Sequence, residues 1–248
     1  MTDRRTELAE NLAKVEARIA AACVAAGRRR DEVTLIVVTK TYPAEDVRLL
    51  SGLGVRHVAE NRDQDAAPKA AACADLPLSW HFVGQLQTNK VRSVVGYADV
   101  VQSVDRARLV TALSKEAVRT EREVGCLVQV ALDAERSPGE KPRESGGLGE
   151  RGGVPVEGVE ELCGLVAGAP GLRFDGLMTV APLTGPYAGR ELAAFERLMD
   201  LSTDLRRAHP AATMVSAGMS ADLEHAVAAG ATHVRVGTAV LGVRPRLG

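Results

Sequence analysis

The segment 214–242, MVSAGMSADLEHAVAAGATHVRVGTAVLG, carries the pattern that decides the fold. An apolar run at 214–217 is followed by a helical pattern at 220–229, and then by a second apolar run at 233–237. A strand, a helix and another strand in succession predict two parallel strands joined by a crossover helix.

The same alternation extends back through the rest of the chain. Further short apolar runs lie at 33–39, 55–59, 80–84, 99–103, 126–132 and 174–180, with helical periodicity at 105–119 and 190–207. Eight candidate strands in 248 residues predict an α/β fold, a single-domain (β/α)₈ TIM barrel over residues 1–248, because such barrels take about 250 residues. The alternative is an open, doubly wound sheet.

An additional helix is predicted before the first strand. Apolar residues at 4-3-4 spacing form one stripe, and they are Leu8, Leu12, Val15 and Ile19. Gly27 follows at the position that glycine favours after a helix. This helix is expected to cover part of the barrel.

The composition excludes several classes of function. The chain is 46% hydrophobic and 3% aromatic, which favours a core of aliphatic residues and buried parallel strands. Its 31 basic and 32 acidic residues provide no positive excess for nucleic-acid binding. No apolar run approaches the roughly 18 residues of a membrane span, and the N-terminus lacks a signal-peptide pattern. We therefore expect a cytoplasmic protein.

The cysteines suggest neither a metal site nor a disulfide framework. They are widely separated, at Cys23, Cys73, Cys126 and Cys163. Buried, reduced thiols are expected. The segment 137–153, rich in Gly, Pro and charge, predicts a flexible surface loop after the fifth strand. Its formal G-x-G-x-x-G pattern follows a Pro-rich stretch rather than a strand, so it does not indicate a dinucleotide site.

Polar residues follow the apolar strand bodies, where a barrel of this class carries its chemistry. Lys40 ends the first strand after seven residues without a charge. A lysine at the mouth of an apolar barrel loses hydration, and a neutral amine can attack an aldehyde to form an imine. The alternative is a lysine that only begins a loop.

The last two strands suggest an anion site, because phosphate sites in barrels often use the loops after strands seven and eight. Ser220 is a suitable N-cap for the helix at 220–229, and Gly218 permits close approach of a ligand to the backbone. Gly237 and Thr238 offer N–H groups and a hydroxyl at a second helix start. Ordinary helix capping explains Ser220 and Gly218 equally well.

Two further polar residues lie within predicted strands. Arg235 alternates with Val234 and Val236, which predicts a buried guanidinium. A buried arginine needs an acceptor, and that acceptor is either a carboxylate or the ring nitrogen of a ligand. His81 is either a histidine satisfied within the core or part of the site.

These segments resemble the pyridoxal phosphate homeostasis proteins, which share their fold with the N-terminal barrel of alanine racemase. The resemblance covers nearly the whole chain and is most specific at 80–90 and 216–242. The matching segments are VTK at 38–40, AENRDQ at 59–64, WHFVGQLQTNK at 80–90, QSVDR at 102–106, GLMTVAP at 176–182 and SAGMSADLEHAVAAGATHVRVGTAVLG at 216–242.

The resemblance implies that the chain binds pyridoxal 5′-phosphate (PLP) as a Schiff base on Lys40, with Arg235 facing the pyridine nitrogen. It places the phosphate against Ser216, Gly218, Ser220, Gly237 and Thr238, and it places Asn61, His81 and Met178 near the cofactor. The chain departs from the family at 137–153, which is longer and richer in Gly. It departs also at Arg62, where many members have an aromatic residue.

The predicted function is a PLP carrier that buffers the cofactor and delivers it to PLP-dependent enzymes. An arginine cannot accept a proton, so with Arg235 at the ring nitrogen the cofactor stabilises a carbanion weakly. The sequence offers only Lys40 as a base, and it ends at Gly248 without the second domain of alanine racemase. A PLP-dependent racemase and a class I aldolase are the alternative hypotheses. The family resemblance implies a monomer.

Overall fold

The computed structural model describes residues 3–135 and 152–242. In this part of the chain, eight parallel strands close into a barrel in chain order. The strands are Thr34–Val38 (β1), His57–Glu60 (β2), Ser79–Phe82 (β3), Val100–Val104 (β4), Val124–Gln129 (β5), Leu172–Met178 (β6), Met214–Ser216 (β7) and His233–Val236 (β8). Leu35 of β1 pairs with Val234 of β8 and closes the barrel. The predicted TIM barrel is confirmed, and the open-sheet alternative is wrong.

Helices surround the strands. They are Arg4–Ala25 (α1), Ala44–Gly52 (α2), Asp63–Ala72 (α3), Val91–Tyr97 (α4), Ala107–Arg119 (α5), Val159–Ala167 (α6), Glu191–Leu205 (α7), Leu223–Ala229 (α8) and Thr238–Leu241 (α9). The helical patterns predicted from 105, 190 and 220 correspond to α5, α7 and α8, each of which begins slightly later than predicted.

The additional N-terminal helix is present as predicted. The stripe of Leu8, Leu12, Val15 and Ile19 is buried, with exposures of 0%, 9%, 1% and 0%. Burial of an aliphatic side chain contributes about 1.5–3 kcal/mol, so this stripe fastens α1 to the barrel. Gly27 adopts a φ of +66° just after the helix, a conformation that glycine tolerates without a Cβ clash.

The apolar core lies between the strands and the helices. One cluster joins α1 and α2 to the first strands and includes Leu12, Val37 and Val58. A second cluster spans β4 to β7 with α5 to α7 and includes Leu109, Val128 and Phe195. The four cysteines are buried and free, as predicted. Across the described ranges, every helix is too short or too polar to cross a bilayer.

The predicted loop at 137–153 lies outside the described residues, apart from its last two glycines. Gly152 has a φ of +68°, and its carbonyl accepts a 3.0 Å hydrogen bond from Gln129 Nε2. The flexible loop therefore stays a prediction.

Candidate functional site

Most of the predicted site residues gather at the carboxyl ends of the strands. Met178 and Ser216 are the last residues of β6 and β7. Lys40, Asn61, Gly218 and Gly237 follow β1, β2, β7 and β8, and Thr238 begins α9. His81 and Arg235 lie within β3 and β8. Because all eight strands run parallel, these ends meet on one face of the barrel.

Arg235 is buried inside the barrel, with 4% of its surface exposed. Its Nη1 donates a 2.6 Å hydrogen bond to Ser216 Oγ, and its Nη2 donates one of 2.8 Å to the carbonyl of Thr179. Burial lowers the pKa of Arg235 to about 10, so the guanidinium keeps its charge at neutral pH. Both acceptors are neutral oxygens, and the ion pairs among the described residues do not include Arg235.

A chain of hydrogen bonds leads from Arg235 across the barrel interior. Ser216 Oγ donates to Gln102 Oε1 at 2.7 Å. Gln102 Nε2 lies 3.0 Å from His81 Nδ1, and His81 Nε2 lies 3.1 Å from His57 Nδ1. Since β4 and β7 are not neighbours in the barrel, the bond from Ser216 to Gln102 passes through its centre. We call these five residues the interior relay.

The charge of Arg235 fixes the direction of every bond in the interior relay. Arginine has donors only, so Ser216 accepts from it and turns its own proton to Gln102. The amide nitrogen of Gln102 then donates to His81 Nδ1. His81 therefore carries its proton on Nε2 and donates to His57 Nδ1, an assignment that follows from the network.

The histidines of the barrel interior are held neutral. Burial, together with the repulsion that a protonated His57 or His233 would exert, lowers the pKa of His81 to about 3. Burial, His57 and Arg235 lower the pKa of His233 to about 4. Burial also lowers the pKa of His57, which lines a cavity of about 440 Å³ at the amino ends of the strands. The interior relay thus joins the two ends of the barrel.

Lys40 lies in a tight turn rather than in a dry pocket. The N–H of Tyr42 donates to the carbonyl of Thr39 at 3.1 Å, which encloses Lys40 and Thr41. Thr41 has a φ of +70°, a region that β-branched residues rarely occupy. The side chain of Lys40 is exposed, so the prediction that the barrel mouth removes its hydration is wrong for this structure.

A buried ion pair lies beside this turn, and sequence reasoning missed it. Lys69 Nζ of α3 contacts Glu60 Oε1 at the end of β2. Their exposures are 7% and 0%. A signal was present, because Lys69 shares a helical face with Ala66, Ala70 and Cys73, all of them buried.

The segment after β7 approaches its neighbours closely. Gly218 has a φ of +86°, and a Cβ there would lie 2.5 Å from the Cβ of Ala226. Its carbonyl accepts a 2.9 Å hydrogen bond from the N–H of Arg235, which ties this segment to β8. Gly237 precedes α9, and its carbonyl accepts the N–H groups of Val240 and Leu241 at 3.0 and 2.9 Å. The N–H groups of Thr238 and Ala239, which begin the helix, have no carbonyl of the same helix to pair with. Thr238 is exposed at that helix start.

The predicted N-cap at Ser220 is wrong. The helix begins at Leu223, and the preceding residue is Asp222. Asp222 Oδ1 accepts the N–H of Met219 and closes the turn before α8. Ser220 lies inside that turn, half-buried, and its carbonyl accepts a 3.0 Å hydrogen bond from Arg18 Nη2.

The remaining predicted residues belong to two other strands: Asn61 follows β2, the neighbour of β1, and Met178 ends β6, the neighbour of β7. Asn61 is half-buried, and its backbone is so near Gly84 that a Cβ on this glycine would lie 1.9 Å from the Asn61 carbonyl oxygen. Met178 is buried, at 1% exposure, and packs with Val100 and Leu127 inside the barrel.

The sequence also gave no sign that α1 secures α9. Arg4 Nη2 donates to the carbonyl of Leu241 at 3.1 Å, and Asn11 Nδ2 donates to that of Val240 at 3.2 Å. These carbonyls lie at the end of α9, where a helix leaves its last carbonyl groups unpaired. The additional helix therefore holds the segment that follows β8 in place.

Comparison with known proteins identifies a family over almost the whole chain. The model of the alanine racemase N-terminal domain matches residues 10–245. The pyridoxal phosphate homeostasis protein of Mycobacterium leprae is 40% identical, and the match covers 97% of this chain and 94% of that protein.

Two solved structures place the fold. PipY of Synechococcus elongatus PCC7942, solved with PLP bound, is 32% identical with a TM-score of 0.77, and the match covers 95% of this chain and 100% of PipY. An alanine racemase of Clostridium difficile has a TM-score of 0.66 at 15% identity. The match covers 97% of this chain but 58% of the racemase, and it shows a shared fold alone.

Proposed function

This chain belongs to the alanine racemase N-terminal domain family, and within it to the pyridoxal phosphate homeostasis proteins, and from that premise we propose that it binds PLP and acts in PLP homeostasis. The observation that carries the proposal is the meeting of Lys40, Arg235 and the glycines at 218 and 237 at one end of the barrel. PLP has three recognisable parts, an aldehyde, a pyridine nitrogen and a phosphate. This end of the barrel has a group suited to each.

The phosphate would lie between the segments after β7 and β8. Gly218 brings backbone close to its surroundings, and a side chain there would meet Ala226. The N–H groups of Thr238 and Ala239 at the start of α9 and the Thr238 hydroxyl are donors suited to an anion. Ser216 and Ser220 flank this segment, and Asn61, His81 and Met178 would complete the surroundings of the ring.

Lys40 would hold the aldehyde as a Schiff base. The cofactor supplies a carbonyl that an amine captures and a ring that withdraws electrons best when its nitrogen is protonated. The exposed amine of Lys40 is free of the buried ion pair that engages Lys69. Exposure also leaves the Schiff base open to water and to competing amines, which suits uptake and release.

Arg235 would face the pyridine nitrogen and donate to it. Because its pKa of about 10 keeps it charged, it has no lone pair with which to accept a hydrogen bond from a protonated ring nitrogen. The role we propose is therefore that of a carrier, which buffers PLP in the cytoplasm as a monomer and passes it to PLP-dependent enzymes.

Borohydride reduction tests the proposal. The purified protein mixed with PLP should show a visible absorbance band that reduction abolishes, and peptide mapping should place the reduced adduct on Lys40. Lys40→Ala should lose the band, whereas the control Lys90→Ala should keep it. Mapping of the adduct to Lys69 or Lys90 in the wild-type protein would overturn the assignment.

The delivery role needs its own measurement. The loaded protein should activate an apo PLP-dependent enzyme, and it should do so without releasing an equal amount of PLP to a trapping amine in solution. If the loaded protein failed to activate the apo enzyme, the delivery role would be wrong and only PLP binding would stand.

A further inference from the structure

Thr39, the residue before Lys40, is held through each of its polar groups. Its N–H donates to the carbonyl of Ala59 at 2.9 Å. Its hydroxyl donates to Glu60 Oε1 at 2.6 Å. Its carbonyl accepts from Lys69 Nζ at 2.8 Å and from the N–H of Tyr42 at 3.1 Å. The peptide group that leads into Lys40 is therefore fixed.

Glu60 and Lys69 are buried beneath this turn, with exposures of 0% and 7%. A buried ion pair is often no more stabilising than well-packed apolar residues of the same volume, because both charges lose their hydration. Stability alone is thus a poor reason for a lysine and a glutamate at these positions. Their contacts instead converge on Thr39.

The turn that these contacts hold is a strained one. Thr41, directly after Lys40, has a φ of +70°. A β-branched residue persists in this conformation only where its surroundings determine it. The carbonyl of Thr39, which closes the turn by accepting from Tyr42, also accepts from Lys69 Nζ.

We propose that Lys69 and Glu60 are positioning residues that hold the turn from Thr39 to Tyr42 and so aim the Lys40 amine at the aldehyde of the cofactor. This inference rests on the proposed Schiff base at Lys40. The ammonium of Lys69 orients the Thr39 carbonyl, and the carboxylate of Glu60 orients both the ammonium and the Thr39 hydroxyl. Neither residue forms a covalent bond with the cofactor.

Two ligands separate positioning from general damage to the site. PLP can form a Schiff base, whereas pyridoxine 5′-phosphate carries an alcohol in place of the aldehyde and can bind only non-covalently. In Lys69→Met, the rate of Schiff-base formation should fall about 10- to 100-fold, the scale of a misplaced reacting group. The affinity for pyridoxine 5′-phosphate should stay within about twofold, since the phosphate donors are untouched.

Four companion variants keep the test decisive. Lys69→Met with Glu60→Gln removes both charges, so it avoids an unpaired buried carboxylate and should show the same slow rate. Thr39→Val should be slow, whereas Thr39→Ser, which keeps the hydroxyl, should recover most of the rate. The control Arg173→Met removes the cation that pairs with Asp175, another buried carboxylate, which lies on β6 across the barrel. This control should leave the rate of Schiff-base formation unchanged.

The turn can also be examined without the cofactor. Amide hydrogen exchange at Tyr42 should be faster in Lys69→Met than in the wild type, because its acceptor is no longer held. A folded double variant with a normal rate of Schiff-base formation and normal exchange at Tyr42 would overturn the inference. If the wild type is not labelled on Lys40, the proposed function fails, and exchange at Tyr42 still decides whether Lys69 holds the turn.

Discussion

Arg235 Nη1 lies 2.6 Å from Ser216 Oγ, and this contact sets the direction of the hydrogen bonds that cross the barrel. Because the guanidinium can only donate, the Ser216 hydroxyl must donate its own hydrogen bond to Gln102. The same direction of donation continues through His81 to His57. The residue proposed to meet the pyridine nitrogen is therefore oriented by a network that extends to the far end of the strands. This network gives Arg235 a fixed position before any ligand binds.

The first prediction concerns Gln102, the centre of the interior relay. Gln102→Leu should lower the free energy of unfolding by at least about 2 kcal/mol, since each buried polar group left without a partner costs about 1–3 kcal/mol. Ser216 and His81 would both lose a partner. Urea denaturation measures the change. The control Gln87→Leu alters an exposed residue. Equal free energies of unfolding in the two variants would contradict the hydrogen bonds assigned to Gln102 in the interior relay.

The second prediction is a loss of stability in acid from His81 and His233. Their pKa values in the folded protein, about 3 and about 4, lie below the ordinary 6.5. The unfolded chain therefore binds protons first as the pH falls, and the free energy of unfolding decreases below about pH 6.5. Each histidine should contribute about 1.4 kcal/mol per pH unit in the middle of that window.

The variant His233→Gln should remove one such contribution. Urea denaturation at several values between about pH 5 and 6.5 gives the slope of stability against pH, and the slope should be shallower than in the wild type. The matched control His225→Gln changes an exposed histidine of α8. A slope equal to that of the wild type in His233→Gln would count against a His233 that stays neutral in the folded protein.

The third prediction concerns Gly218. In Gly218→Ala the new Cβ would lie 2.5 Å from that of Ala226, at a φ of +86°, so the segment after β7 must move. We expect PLP to bind at least about 10-fold more weakly, the equivalent of about 1.4 kcal/mol. Gly96→Ala, whose added Cβ meets no atom within 4 Å, is the control. If Gly218→Ala bound PLP with unchanged affinity, the phosphate could not bind at the segment after β7.

The fourth prediction is that the loaded protein turns over amino acids slowly. Arg235 can donate to the ring nitrogen but cannot accept a hydrogen bond from a protonated one, so the ring would stay unprotonated and be a weaker electron sink. We expect racemisation of L-alanine and other amino acids well below about 1 s⁻¹, the lower end of ordinary enzyme rates. Chirality and deuterium exchange at the α-carbon measure it. A rate of about 1 s⁻¹ or above would favour a racemase over a carrier.

Much of the fold could be predicted from the sequence because it depends on local patterns. Strand-length apolar runs and helical periodicity located the eight strands, and the 4-3-4 stripe located α1. The boundary at Ser220 was wrong because serine and aspartate are both good caps. Whether Ser220 or Asp222 lies directly before the first residue of α8 depends on where the chain turns after β7.

The sequence by itself determined the barrel and the order of its strands, and hence which residues reach the carboxyl ends. Only the tertiary structure decided which of them meet. Gln102 and Ser216 are 114 positions apart, and Lys69 reaches Thr39 across 30. A hydrophobic pattern says which face of a strand or helix is buried. The partner that a buried polar group finds across the barrel depends on closure and register, and these form only when all eight strands pack together.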